Sequence, residues 1–150
     1  MANEPTPDHF SYMRQCIVLA GRAKARGDSP VGSLVICRGK VIGEGIEGAK
    51  TFNDITFHAE IEAIRQATKL LKSMDLSACM LVTTHEPCIM CSYVIRHHRL
   101  HTVYFGLSSG EIGGYSSKHT ILTDDQIGIW HKPPQVIGGI LSDEVRELHV

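Results

Sequence analysis

Residues 79–107 read CMLVTTHEPCIMCSYVIRHHRLHTVYFGL. Cys79 to Thr84 is a short apolar run of strand type, and Pro87 opens a helix that spans Cys88 to about His98. His101 to Leu107 returns to strand composition. A strand, a helix and a strand in one sheet form a parallel unit with a right-handed crossover, so this stretch predicts an α/β fold. Upstream, Ile61, Ile64, Thr68 and Leu71 recur at helical spacing from His58 to near Met74. Val31–Cys37 and Lys40–Ile46 read as a hairpin turned at Arg38-Gly39. A first helix is expected from an N-cap at Thr6 through Pro7 to about Arg26, carrying Phe10, Met13, Ile17 and Ala20 on one face. Residues 47–57 show no period and read as loop. The long Gly/Ser/Asp-rich stretch 108–134 is expected to hold one helical turn around Thr123–Ile129. Val136–Leu141 reads as a last strand, and Ser142-Asp143 start a last helix. The expected architecture is a three-layer α/β/α sandwich, a five-stranded mixed sheet with helices on both faces.

The length of 150 residues fits a single domain over 1–150. No run approaches the ~18 apolar residues of a membrane-spanning helix, and the first residues show no signal peptide. The net charge is −1, which lowers the expectation of a nucleic-acid partner, because phosphate contacts favour a basic balance. Five cysteines without a signal peptide argue for a reducing, cytoplasmic setting. Cys16, Cys37 and Cys79 lie in apolar runs and read as buried small side chains.

Cys88 and Cys91 differ. Three apart in a first helical turn, they share a face and can hold one metal ion between their sulfurs. Alone, C-x-x-C also fits a redox pair or half of a structural zinc site, but no second C-x-x-C exists here. His58, at another helix start, supplies a third ligand. Two thiolates and one imidazole select Zn²⁺ and leave a coordination position open, the form of a catalytic site. His85 is the rival fourth ligand, although its place before the turn should aim it away. Glu60, two positions after His58, can carry protons between a metal-activated water and a leaving group.

His58-x-Glu60 followed by Pro87-Cys88-x-x-Cys91 resembles the signature of the zinc deaminases. The segments FHAEIEAIRQA and THEPCIMCSYVI are similar to the cytidine, cytosine, guanine and tRNA-adenosine deaminase superfamily, as are PVGSLVI, RLHTVYFG and GILSDEV. The resemblance covers most of the chain. It implies that His58, Cys88 and Cys91 hold zinc, that Glu60 shuttles protons and that the Ala59 N–H meets the substrate. It also implies a homodimer or larger assembly built on the helices behind the site, where Ile89 and Tyr93 add apolar surface. The branch usually carries an Asn eleven residues before the zinc histidine, and here that position is Glu47. An ionised Glu only accepts hydrogen bonds, whereas Asn also donates. Glu47 therefore suits a substrate edge rich in N–H donors, unless the loop shifts register and Asn53 takes the role.

The expected function is hydrolytic deamination of a nucleobase, nucleoside or related amino-heterocycle. The alternatives are a tRNA-specific adenosine deaminase and a non-catalytic zinc-stabilised interaction domain. The basic knot Arg96, His97, His98, Arg99 and His101 is expected to complement a helix C-terminus. Of Tyr104 and Phe105, adjacent on a strand, at most one can face a pocket. Tyr115 could stack on a heterocycle, Trp130 and His131 read as packing or a pocket cap, and His119 has no assigned role.

Overall fold

A computed structural model describes residues 7–150, so the expected cap at Thr6 lies outside the described residues. Helix α1 (Pro7–Ala25) leads into β1 (Gly32–Cys37) and β2 (Lys40–Ile46). Arg38 and Gly39 both take positive φ, 51° and 79°, the turn whose twist matches paired strands. Then come α2 (Ala49–Phe52), α3 (Ala59–Leu71), β3 (Cys79–His85), α4 (Ile89–His98), β4 (Thr102–Leu107), β5 (Gln135–Ile137) and α5 (Ser142–Arg146). The five strands form one sheet in the order β2-β1-β3-β4-β5. β1 is antiparallel to β2 and β3, while β3, β4 and β5 run parallel. The expected mixed sheet and parallel crossover are both present.

Alternation along the strands builds two cores. Leu34, Ile36, Val82 and Tyr104 face α1 and α5, where they pack on Met13, Cys16, Leu19 and Val145. Val35, Leu81 and Val103 face the other way and pack on Ala63 and Ile64 of α3 and Ile95 of α4. Each fully buried aliphatic side chain contributes roughly 1.5–3 kcal/mol, so both layers are held chiefly by apolar burial. Cys16, Cys37 and Cys79 are buried in these cores as expected. α3 approaches β2 unusually closely. A Cβ on Gly45 would lie 1.8 Å from the Ala59 carbonyl oxygen, and one on Gly43 would lie 2.1 Å from that of Ala63. These two glycines let the start of α3 sit directly on the sheet.

The stretch expected as loop contains α2. Its N-cap residue Gly48 has no side chain to offer; the Asp28 carboxylate, from the turn after α1, accepts Lys50 N–H at 3.1 Å and Thr51 N–H at 3.0 Å. That cap comes from 22 residues away and leaves no local signature. α3 stops at Leu71 because Lys72 adopts the left-handed conformation. The last strand ends at Ile137, before Gly138-Gly139. Residues 108–134 hold three separate 3-10 turns, at Gly110–Ile112, Ile121–Thr123 and Gly128–Trp130. Arg96 organises the last two. It is buried, its Nη1 donates to the carbonyls of Ile121 (2.8 Å) and Asp124 (2.7 Å), and its guanidinium lies 5.0 Å from the Trp130 ring. The expectation that this basic knot serves a helix end is corrected for Arg96, which pins a distant loop to α4. Among the described residues, no helix is long and apolar enough to cross a membrane.

Candidate metal centre and active site

The N-termini of α3 and α4 meet beside the end of β3. His58 and Cys88 occupy the two N-cap positions with extended backbone, and neither side chain caps its helix. Ser, Thr, Asp and Asn are the stabilising residues there. His58 and Cys88 forgo that bond because their side chains turn to each other. Ligand atoms of His58, Cys88 and Cys91 all lie within 4.8 Å of one another, and His58 Nδ1 is 3.6 Å from Cys88 Sγ and 3.4 Å from Cys91 Sγ. Cys91 is fully buried, whereas His58 and Cys88 face a cavity of about 310 Å³.

The electrostatics fit a cation. Hydrogen bonding from Cys91 lowers the Cys88 thiol to about 4, with a further bond from His58, against the opposing effect of burial. The Cys88 partner raises His58 to about 9. Cys91 is pushed well above its ordinary value by sharing with Cys88 and by burial. Where a thiolate gathers protons from two neighbours, a divalent cation can take the place of those protons, and soft sulfur donors with one imidazole suit zinc. The positive ends of both helices favour the thiolate form.

Glu60 lines the same cavity and is 3% exposed. Burial pushes its carboxyl up to about 8, against a pull from its own backbone N–H. Glu47 also lines the cavity. Its backbone is fixed by its N–H to the Val31 carbonyl (3.1 Å) and by Arg26 Nη2 donating to its own carbonyl (2.7 Å). Its Oε2 accepts the Ala49 N–H at 3.3 Å. Burial raises its pKa, opposed by His58 and by the N–H groups of Ala49 and Ala59. Ala59 itself is fully buried in the first turn of α3. Asn53 is exposed, in a left-handed cap after α2, and does not line the cavity.

His85 stands outside the metal cluster; its Nε2 lies 2.7 Å from His149 Nε2. Tyr104 and Phe105 are both buried and neither lines the cavity. Tyr104 packs on His9 at 3.8 Å, and Phe105 meets Tyr115 at 6.0 Å. Trp130 is packing: its Nε1 donates to His97 at 3.2 Å. His119 lines a different cavity. Two contributors escaped the sequence reading. Glu86 is 1% exposed, and its carboxylate accepts four hydrogen bonds from Ser109, Tyr115 and Ser116, which ties the 109–116 loop to the cavity wall. Its only sequence signal is an acid wedged between an apolar strand and Pro87-Cys88. His149 carried none.

The family described as the cytidine and deoxycytidylate deaminase zinc-binding region matches residues 6–107. The chain belongs to this deaminase family. It is accordingly a zinc-dependent hydrolytic enzyme of that family, and its three-ligand cluster fits the metal. A tRNA-specific adenosine deaminase from Aquifex aeolicus is 34% identical over 113 residues, 75% of this chain and 75% of that protein. A tRNA(Ile)-lysidine synthase from Deinococcus radiodurans is 32% identical over 96% of this chain, which spans only 24% of that longer protein. Among solved structures, a tRNA:A34 deaminase superposes with TM-score 0.85 at 30% identity, over 92% of this chain and 98% of that one. Guanine deaminase from Bacillus subtilis superposes with TM-score 0.64 at 35% identity, over 67% and 64%.

Proposed function

We propose that residues 1–150 act as one catalytic unit that deaminates a free amino-heterocycle of guanine, cytosine or triazine type. The observation that carries this reading is Glu47: a buried carboxylate with a fixed backbone stands in the cavity beside Glu60 and the metal ligands. Ionised, it accepts from a ring edge that carries N–H or amino groups, and it disfavours an edge lined by acceptors. The cavity, about 310 Å³, is at the small end of ligand pockets and suits one ring system.

His58, Cys88 and Cys91 would hold zinc, which when bound lowers the pKa of a water to roughly 7 and so provides the nucleophile. Glu60 would take a proton from the attacking water and deliver it to the ring nitrogen next to the reacting carbon. It then moves the second proton to the departing amine. Ring C–NH₂ plus water becomes ring C=O plus ammonia. Burial supports this role, because a carboxyl raised toward neutrality both takes and gives protons.

A second reading, tRNA-specific adenosine deamination, is supported by the Aquifex aeolicus relative and the tRNA:A34 deaminase likeness. Ammonia release across purines, pyrimidines and triazines, run beside inosine formation in a tRNA anticodon stem-loop, separates the two. Turnover of the stem-loop alone overturns the free-base reading. Glu47→Gln should change the preferred ring at unchanged zinc content. We further infer a homodimer, supported by Ile89 and Tyr93 on α4, which are 37% and 53% exposed; a monomer by light scattering at micromolar concentration would refute it. A reducing cytoplasmic setting is supported by the need for Cys88 and Cys91 as thiolates.

A further inference from the structure

Two histidines in the cavity wall have no part in that chemistry. His85 ends β3, and His149 lies in the 3-10 turn after α5. Their Nε2 atoms are 2.7 Å apart, with the rings edge-to-face at 83°. At that distance one nitrogen donates and the other accepts.

Thr84 decides which. Its hydroxyl is fully buried, its oxygen accepts the Gly32 N–H at 3.2 Å, and His85 Nδ1 lies 2.8 Å away. Among the described residues, His85 Nδ1 is the acceptor for the hydroxyl proton. Were His85 Nδ1 to donate instead, a buried hydroxyl proton would be left without an acceptor, a costly arrangement. His85 therefore carries its proton on Nε2 and donates it to His149. His149 then carries its own proton on Nδ1, and no described residue takes it. Burial, together with the His149 neighbour, lowers His85 to about 4 and keeps it neutral. The segment is anchored on both sides of His149: Leu148 packs against the core, and Lys24 Nζ donates to the Val150 carbonyl at 2.9 Å.

The cavity is thereby two-sided in chemistry. Glu47 and Glu60 offer carboxyl groups, while Glu86 and Ser109 are occupied with each other. His149 brings an N–H donor with a tautomer set from within the fold. We propose that His149 donates to a ring carbonyl oxygen of the substrate, with His85 as its positioning residue, so that the pair selects oxo-amino heterocycles over rings bearing the amine alone. The inference rests on the free-base reading above and narrows its substrate class.

Matched rings test it: guanine against 2-aminopurine, isocytosine against 2-aminopyrimidine, cytosine against 4-aminopyrimidine. Binding is measured by calorimetry on zinc-loaded Glu60→Gln protein, which removes turnover. The oxo member of at least one pair should bind about tenfold or more tighter, the scale of one net hydrogen bond. His149→Ala in that background should bring the ratio to within about twofold at unchanged zinc content. His85→Leu should do the same, and His85→Gln, which can still donate to His149, should restore the preference. In active protein, His149→Ala should raise KM for the oxo substrate and move kcat less, because the contact is made before and during reaction alike. A preference unchanged by His149→Ala overturns the assignment, and if ammonia is still released the free-base reading survives it. A His149-dependent preference without ammonia release leaves the pair standing and refutes the reaction. Failure of every ring to bind refutes both.

Discussion

Replacing Glu86 should damage the fold and the cavity together. The carboxylate accepts Ser109 N–H at 3.1 Å, Tyr115 N–H at 2.9 Å, Ser116 N–H at 2.8 Å and the Ser116 hydroxyl at 2.7 Å, in a site 1% exposed. Burial alone would raise its pKa, but the bonds from Ser116, Ser109 and Tyr115 together lower it, so the group is ionised and its bonds are charge-assisted. Glu86→Ala strips three backbone donors and one hydroxyl of their acceptor. Water can enter the space left and satisfy some of them, so the loss should fall near 3–5 kcal/mol rather than the sum of four charged bonds at ~1.5–3 kcal/mol each. For a domain of this length that corresponds to a fall in Tm of roughly 10 °C. Glu86→Gln keeps one acceptor oxygen but aims an NH₂ at N–H donors, so it should fare little better. Ser109 and Ile112, which line the cavity, are carried by the same loop, so KM should rise in any variant that still folds. Denaturant melts and steady-state kinetics of both variants measure this. A loss below about 1 kcal/mol in Glu86→Ala would show that the 109–116 loop is held by something else.

Three further outcomes are expected. Glu60→Gln should retain zinc by elemental analysis yet lose at least ~10²–10⁴-fold in turnover, since the proposed proton carrier is gone; near-full turnover would remove that role. Gly45→Ala puts a Cβ 1.8 Å from the Ala59 carbonyl, so α3 must shift away from β2. It should cost about 1–3 kcal/mol and weaken zinc retention under chelator challenge, whereas wild-type retention would refute the close-approach argument. Asp28 has a pKa below its ordinary value: burial would raise it, but the Thr51 and Arg26 bonds together outweigh that, so its stabilising effect is complete above about pH 4 and fades as pH falls through the lower folded value. Asp28→Asn should therefore be less stable than wild type at pH 6 and show a shallower loss of stability in acid; parallel curves would contradict the assignment.

What could be read from the sequence was what is local in the chain. The strand-helix-strand stretch 79–107 declares itself by period, and His58, Glu60, Cys88 and Cys91 by spacing within single helical turns. Glu47 was reached only through its distance from His58 in a family pattern, and the fold puts it in the cavity while leaving Asn53 exposed. What stayed hidden is bonded across long separations. Asp28 caps α2 from 22 residues away, Arg96 holds carbonyls 25 and 28 residues ahead, and Glu86 binds 23 to 30 residues on. A charge in a helix end looks the same whether it faces water or a buried carbonyl. For that reason the basic knot reads as a helix-end complement, although its most buried member is a loop staple.

The same division separates reaction from recognition. The metal ligands and Glu60 sit at the starts of two helices packed on the same face of one sheet, so their geometry follows from helix and strand packing. Glu47 is set by Arg26 at the end of the first helix, and the 109–116 loop by Glu86. His149 is set by a chain of bonds from Gly32 through Thr84 and His85. Each recognition group is thus held by a residue that lies far away in sequence. Substituting a cavity residue while its support is kept should change which ring binds. Substituting the support should blur selection without installing a new preference, so retuning this cavity requires changing holder and reader together.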